Sequence, residues 1–161
     1  MSRIIHTEGA GKERPRLLKS IVLALRELGK QPSLNAQARD LLAYLVFALE
    51  TLADGIEESV AAWEKRGYWL KADRFRLEWS WSDEFAAQLK AALLQENWSE
   101  ASHLVAQITG KLGHIKVSEH HRLGTPWVGA WERLQKEAVS LPKTIRSHPH
   151  ESTAKTHRSE R

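Results

Sequence analysis

Cysteine is absent from the 161-residue chain. That excludes disulfides, thiolate-held zinc or iron–sulfur centres, and thiol nucleophiles. Long apolar runs are also missing. The longest nearly apolar stretch runs from Leu41 to Leu49, closed by Asp40 and Glu50, whereas a membrane span needs about 18 or more such residues. It reads as a buried helix segment. No apolar core of a signal peptide follows Met1, so a secretory leader is not expected, and the expectation is a cytoplasmic protein with no membrane partner. Sustained alternation of the strand type is lacking, as is any 20- to 50-residue repeat.

Tryptophan is what the chain has in excess: seven, against three Phe and two Tyr. Five of the seven fall between Trp63 and Trp98. The formal charge of +4 is uneven. The first 33 residues hold seven Lys/Arg against three acids, while residues 34–62 hold one against five. Residues 141–161 hold five Lys/Arg against two acids. The basic excess therefore belongs mostly to the two ends.

Helical periodicity dominates the interior. Residues 1–12, with Gly9 and Gly11, read as a flexible arm. A first helix is expected from about Glu13, with Pro15 in its first turn, where a missing N–H is harmless. Leu17, Leu18, Ile21, Val22, Leu25 and Leu28 form its stripe, and Gly29 with Pro32 ends it. Asn35 is the expected cap of a second helix. Leu41, Leu42, Leu45, Val46, Leu49, Leu52, Ile56, Val60 and Trp63 keep helical period along it. Trp63, Gly67, Leu70, Arg74, Leu77 and Trp81 continue the spacing, so one long helix is expected from 36 to 79, with a break at Gly67 as the alternative. Ser80 or Ser82 is expected to cap a further helix through Leu93, and Asn97 or Ser99 another through Ile108, ending at Gly110 or Gly113. Pro126 is expected to open a short last helix with Val128, Trp131, Leu134 and Ala138. Residues 142–161 read as a disordered basic tail. The fold class is all-α, an antiparallel helical bundle of four to five helices around one long central helix, with the bundle domain spanning 13–141.

The segment from Trp63 to Trp81 is the strongest functional signal. Lys65, Arg66, Lys71, Arg74 and Arg76 interleave there with Trp63, Tyr68, Trp69, Phe75, Trp79 and Trp81. On a continuous helix Trp63, Leu70, Leu77 and Trp81 form a core stripe, and Trp69, Ala72 and Trp79 a second one facing another neighbour. Trp and Arg are also the residues of protein–protein hot spots. Aromatic faces beside Lys and Arg equally suit unpaired bases and phosphates. The interaction surface is expected at Trp63, Tyr68, Trp69, Lys71, Arg74, Arg76 and Trp79. The stretch VAAWEKRGYWLKADRFR from Val60, together with Glu13 to Leu28, resembles a group of small bacterial helical proteins. That resemblance implies a compact helical fold and no activity.

Other motifs carry less. Gly9, Gly11 and Lys12 do not make a phosphate loop, because His6 stands at the first glycine position and Glu13 at the hydroxyl position. Lys12, Arg14 and Arg16 at a helix N-terminus favour anions. Glu100 and His103 have the Glu-x-x-His spacing of di-iron bundles but lack a second copy. His114, His120 and His121 could ligate zinc, yet adjacent His120 and His121 point apart. No Arg in residues 1–140 precedes a His at the Arg-x4–6-His spacing of small helical ribonucleases, and Glu57 and Glu58 do not converge. No catalytic set, cofactor or metal ligand is assigned. The expectation is a non-enzymatic module that self-associates or docks a protein, with single-stranded nucleic acid or RNA bound by 63–81 as the alternative.

Overall fold

The computed structural model describes residues 7–140, so the expectations for 1–6 and for the tail from 141 lie outside the described residues. The described chain is all-helical: α1 (Thr7–Gly29), α2 (Ala36–Lys65), α3 (Trp69–Trp79), α4 (Trp81–Leu94), α5 (Trp98–Leu112) and α6 (Ala130–Ser140). Only Ser80 separates α3 from α4, and its φ of −57° and ψ of −28° are helical, so the backbone passes from one to the other without leaving helical geometry.

The 30-residue α2 is the spine and packs against α1, α3, α4 and α6. Its stretch 41–49 is apolar nearly all round, and Leu41, Leu42, Ala43, Leu45, Val46, Ala48 and Leu49 are buried. Ile21 from α1, Leu89 and Leu93 from α4, Leu104 and Ile108 from α5 and Leu134 from α6 complete one continuous core. The polar Ser20 is buried among them and bonds to the Tyr44 hydroxyl, so the hydroxyl keeps a partner away from water.

Local signals set most helix ends. The Asn35 side chain accepts the Ala38 N–H at 2.8 Å and starts α2. Asn97 does the same for Glu100 at 3.2 Å and starts α5, which stops at Gly113. Elsewhere the structure departs from expectation. First, α1 begins at Thr7, six residues ahead of Glu13, and carries Pro15 inside it. Gly11 and Pro15 are both exposed, so the carbonyl that loses its donor lies on the solvent side, where water replaces the bond. Second, Ser80 and Ser82 do not cap α4. Each hydroxyl donates back to a carbonyl three residues earlier, Leu77 and Trp79. Third, α6 opens at Ala130, after Pro126. The Gly129 N–H just ahead of it and the Trp131 N–H in its first turn donate to the Asp40 carboxylate of α2 at 3.3 and 3.0 Å.

The largest departure is at Gly67. The helix expected over 36–79 stops at Lys65, and Gly67 takes φ +81°. The Tyr68 N–H bonds to the Trp63 carbonyl and the Gly67 N–H to the Glu64 carbonyl, both at 3.0 Å. These two bonds, closed by a glycine in the left-handed region, make a Schellman termination. The chain then folds back, and α3 lies against α2 with Ala72 fully buried at the contact.

Candidate functional site on the third helix

Because Gly67 resets the helical phase, the two stripes expected on a continuous helix are broken up: Ala72 and Trp79 of the second pack inward, while Trp69 of the second and Leu70 and Leu77 of the first are exposed. Ala72, Phe75, Arg76 and Trp79 face the bundle, and the opposite side looks outward. Leu70 and Leu77, expected in the core, are 66% and 76% exposed. Trp69 and Tyr68 are 62% and 57% exposed.

The inner side of α3 is fixed by aromatic and ionic contacts. Trp63, half-buried at the end of α2, meets Phe75 edge-on at 4.8 Å. Phe75, Trp79, Trp81 and Phe85 continue as a chain of tilted rings 5.8 to 6.4 Å apart. Arg76, expected on the interaction surface, is instead a strut. Its guanidinium reaches Glu57 at 3.2 Å and Glu64 at 3.3 Å on α2, and Asp73 at 3.7 Å. Hydrogen bonding to Glu57 and that carboxylate's charge hold it above its ordinary pKa. Trp79 is likewise half-buried in the ring chain. Both therefore attach α3 to the bundle, Arg76 with its side chain still 43% exposed.

Arg14 does a related job from α1. Its guanidinium donates to the Gly55 carbonyl at 3.2 Å and the Ser59 hydroxyl at 2.8 Å, and lies 5.0 Å from the Phe75 ring centroid. Burial pushes its pKa down, opposed by the charge of Glu58. The anion-attracting role expected of it at a helix N-terminus is replaced by a clasp joining α1, α2 and α3.

What remains outward is a compact set. Lys71 and Arg74 are exposed, as are Lys65 and Arg66 beside the turn. The Lys71 ammonium sits 4.6 Å from the Trp63 ring centroid, which orders it by a cation–π contact. Arg74 makes no ion pair among the described residues. An open cleft of about 660 Å³ runs beside the turn, lined by Trp63, Tyr68, Trp69, Lys71, Arg74 and Glu78 among others. Of the seven expected surface residues, the structure brings Trp63, Tyr68, Trp69, Lys71 and Arg74 together around this cleft and places Arg76 and Trp79 behind it. Sequence reasoning missed Leu70 and Leu77. A basic helix end at Lys65 and Arg66, then Gly, then an apolar residue is the signature that would have exposed them.

The remaining motifs stay apart. His103 Nε2 lies 3.0 Å from Gln107 Nε2, and Glu100 sits in the first turn of α5, where a carboxylate suits the helix dipole. His121 Nδ1 accepts the Leu123 N–H at 3.3 Å in the 113–129 connection. No group of three or more His, Cys, Asp or Glu that could hold a metal ion occurs among the described residues. No helix among them is long and apolar enough to cross a membrane. No family model, curated protein or solved structure matches the chain.

Proposed function

We propose that the chain is a non-enzymatic helical module that associates with protein, itself included, through the outer face of α3. One observation carries this reading: Trp69, Leu70 and Leu77 are each more than half exposed on a single helix that Arg14, Arg76 and the aromatic chain hold rigidly against the bundle. Water-facing apolar side chains are ordinary when scattered over a surface, but three of them beside Arg74 on one 11-residue helix that is already packed in place have the composition of a docking surface. Light-scattering mass after size exclusion tests it. The wild type should exceed the 18.3 kDa monomer at tens of micromolar. The Leu70→Asp, Leu77→Asp variant should fall to the monomer mass with an unchanged melting curve, since neither side chain is in the core. A wild type that stays monomeric and captures no protein through this face would overturn the reading.

A second reading has its own support. Lys65, Arg66, Lys71 and Arg74 surround Tyr68 and Trp69, so bases could stack beside neutralised phosphates. The loss of Arg76 to an internal ion-pair set weighs against it, as do Leu70 and Leu77, which have no flat face for a base. Binding of single-stranded RNA that falls steeply with salt, and less steeply after Lys71→Ala and Arg74→Ala, would favour it over protein docking.

A further inference from the structure

Successive residues on a helix turn by about 100°. With Ala72, Phe75, Arg76 and Trp79 facing the bundle, Leu70, Arg74 and Leu77 run along the far side of α3. Lys71 and Glu78, both exposed, lie on one flank of that stripe and both line the cleft. They are two helical turns apart, about 10 Å, and so do not pair with each other. Glu78 makes no ion pair among the described residues. Its i,i+4 neighbour Arg74 precedes it in the less favourable order of charge.

Resting on the reading of α3 as a docking face, we propose that its occupant is a second copy of this chain. The two α3 helices meet antiparallel across a twofold axis near Arg74, Leu70 packs on the partner's Leu77, and Lys71 pairs with the partner's Glu78. A twofold perpendicular to both helices sets the same flank of each side by side and reverses its order. Each residue then meets the one reflected about position 74. Reflection carries Leu70 to position 78 and Lys71 to position 77, each one residue, about 1.5 Å along the axis, from the partner's Leu77 and Glu78, so the apolar and the ionic contacts are both within side-chain reach. A parallel twofold sets this flank of one helix against the opposite flank of its partner, so Lys71 and Glu78 would no longer meet across the contact. Arg74, closest to the axis, is offset from the partner's Glu78 by about 6 Å along the helix, within side-chain reach. The Trp63 ring already holds the Lys71 ammonium in place, which lowers the ordering cost of the pair. An 11-residue helix is about 16 Å long, so the contact is small and the dimer is a reversible one of micromolar strength.

Charge reversal tests the register, with sedimentation velocity over a concentration series as the readout. Glu78→Lys leaves Trp63 and Lys71 untouched, and Lys71→Glu is its complement. Each single reversal acts twice in a symmetric dimer and should raise the dissociation constant about tenfold. Lys71→Glu combined with Glu78→Lys should return it to within about threefold of wild type. A dimer that Leu70→Asp dissociates, but that ignores the single reversals or is not restored by the double, overturns this register and leaves the docking reading intact. A wild type that remains monomeric throughout overturns the second copy as the occupant, and the docking reading then stands or falls on capture of another protein.

Discussion

Replacing Gly67 by Ala distinguishes a fold-back from a continuous helix by the sign of a stability change. Gly67 has φ +81°, and a Cβ built there meets nothing within 4 Å, so the cost is one of backbone conformation alone. Placing an L-residue in the left-handed region costs about 1–2 kcal/mol, and part of this returns because Ala stiffens the unfolded chain by about 0.4–1 kcal/mol. A net loss of about 1 kcal/mol follows, which lowers the melting temperature of a chain this size by about 3 °C. Were residues 36–79 one helix, Gly67 would lie in its interior, and Ala there would stabilise by about 1 kcal/mol. Urea unfolding followed by far-ultraviolet circular dichroism measures the difference. A midpoint that rises with Gly67→Ala, at unchanged slope, would refute the Schellman turn and with it the exposure of Leu70 and Leu77.

Four further outcomes follow from other contacts. Glu96 occupies the equivalent position after α4 with φ 53°, and the Asn97 N–H bonds to the Ala92 carbonyl at 2.8 Å; Glu96→Gly should therefore stabilise by about 0.5–1 kcal/mol in the same unfolding assay. Ala72 is fully buried where α3 packs on α2, so adding the bulk of Ala72→Leu should destabilise by about 1–3 kcal/mol. Arg14→Met keeps much of the apolar stem but removes the bonds to Gly55 and Ser59, and should lose about 1–2 kcal/mol. Asp40→Ala frees the Gly129 and Trp131 N–H groups, and hydrogen exchange should quicken in the first turn of α6 while α2 stays protected.

How far the fold could be read from sequence follows the range of each interaction. Asn35 and Asn97 act on N–H groups three residues away, and both caps were legible. The all-round apolar stretch of α2 named the spine because burial on every side needs no knowledge of the neighbours. Gly67 was ambiguous because apolar residues keep the same spacing on both sides of it, and a periodic pattern cannot report a change of phase. Asp40 reaches α6 across 89 and 91 positions, so the start of that helix had no local signal. The candidate site divides in the same way. Its aromatic and basic composition was visible in the sequence. Which members face outward was not, because Arg76 is taken up by Glu57 and Glu64 only once α3 has folded back.

Hydroxyl-radical footprinting across a concentration series tests the central claim residue by residue, because it reads exposure and association together. In dilute solution Tyr68, Trp69, Leu70 and Leu77 should react fast and Leu45, which is fully buried, should not. At high concentration the α3 residues should become protected while exposed side chains elsewhere, such as Val128, stay reactive. Leu70 and Leu77 as inert as Leu45 in dilute solution, or α3 equally reactive at every concentration, would contradict the account.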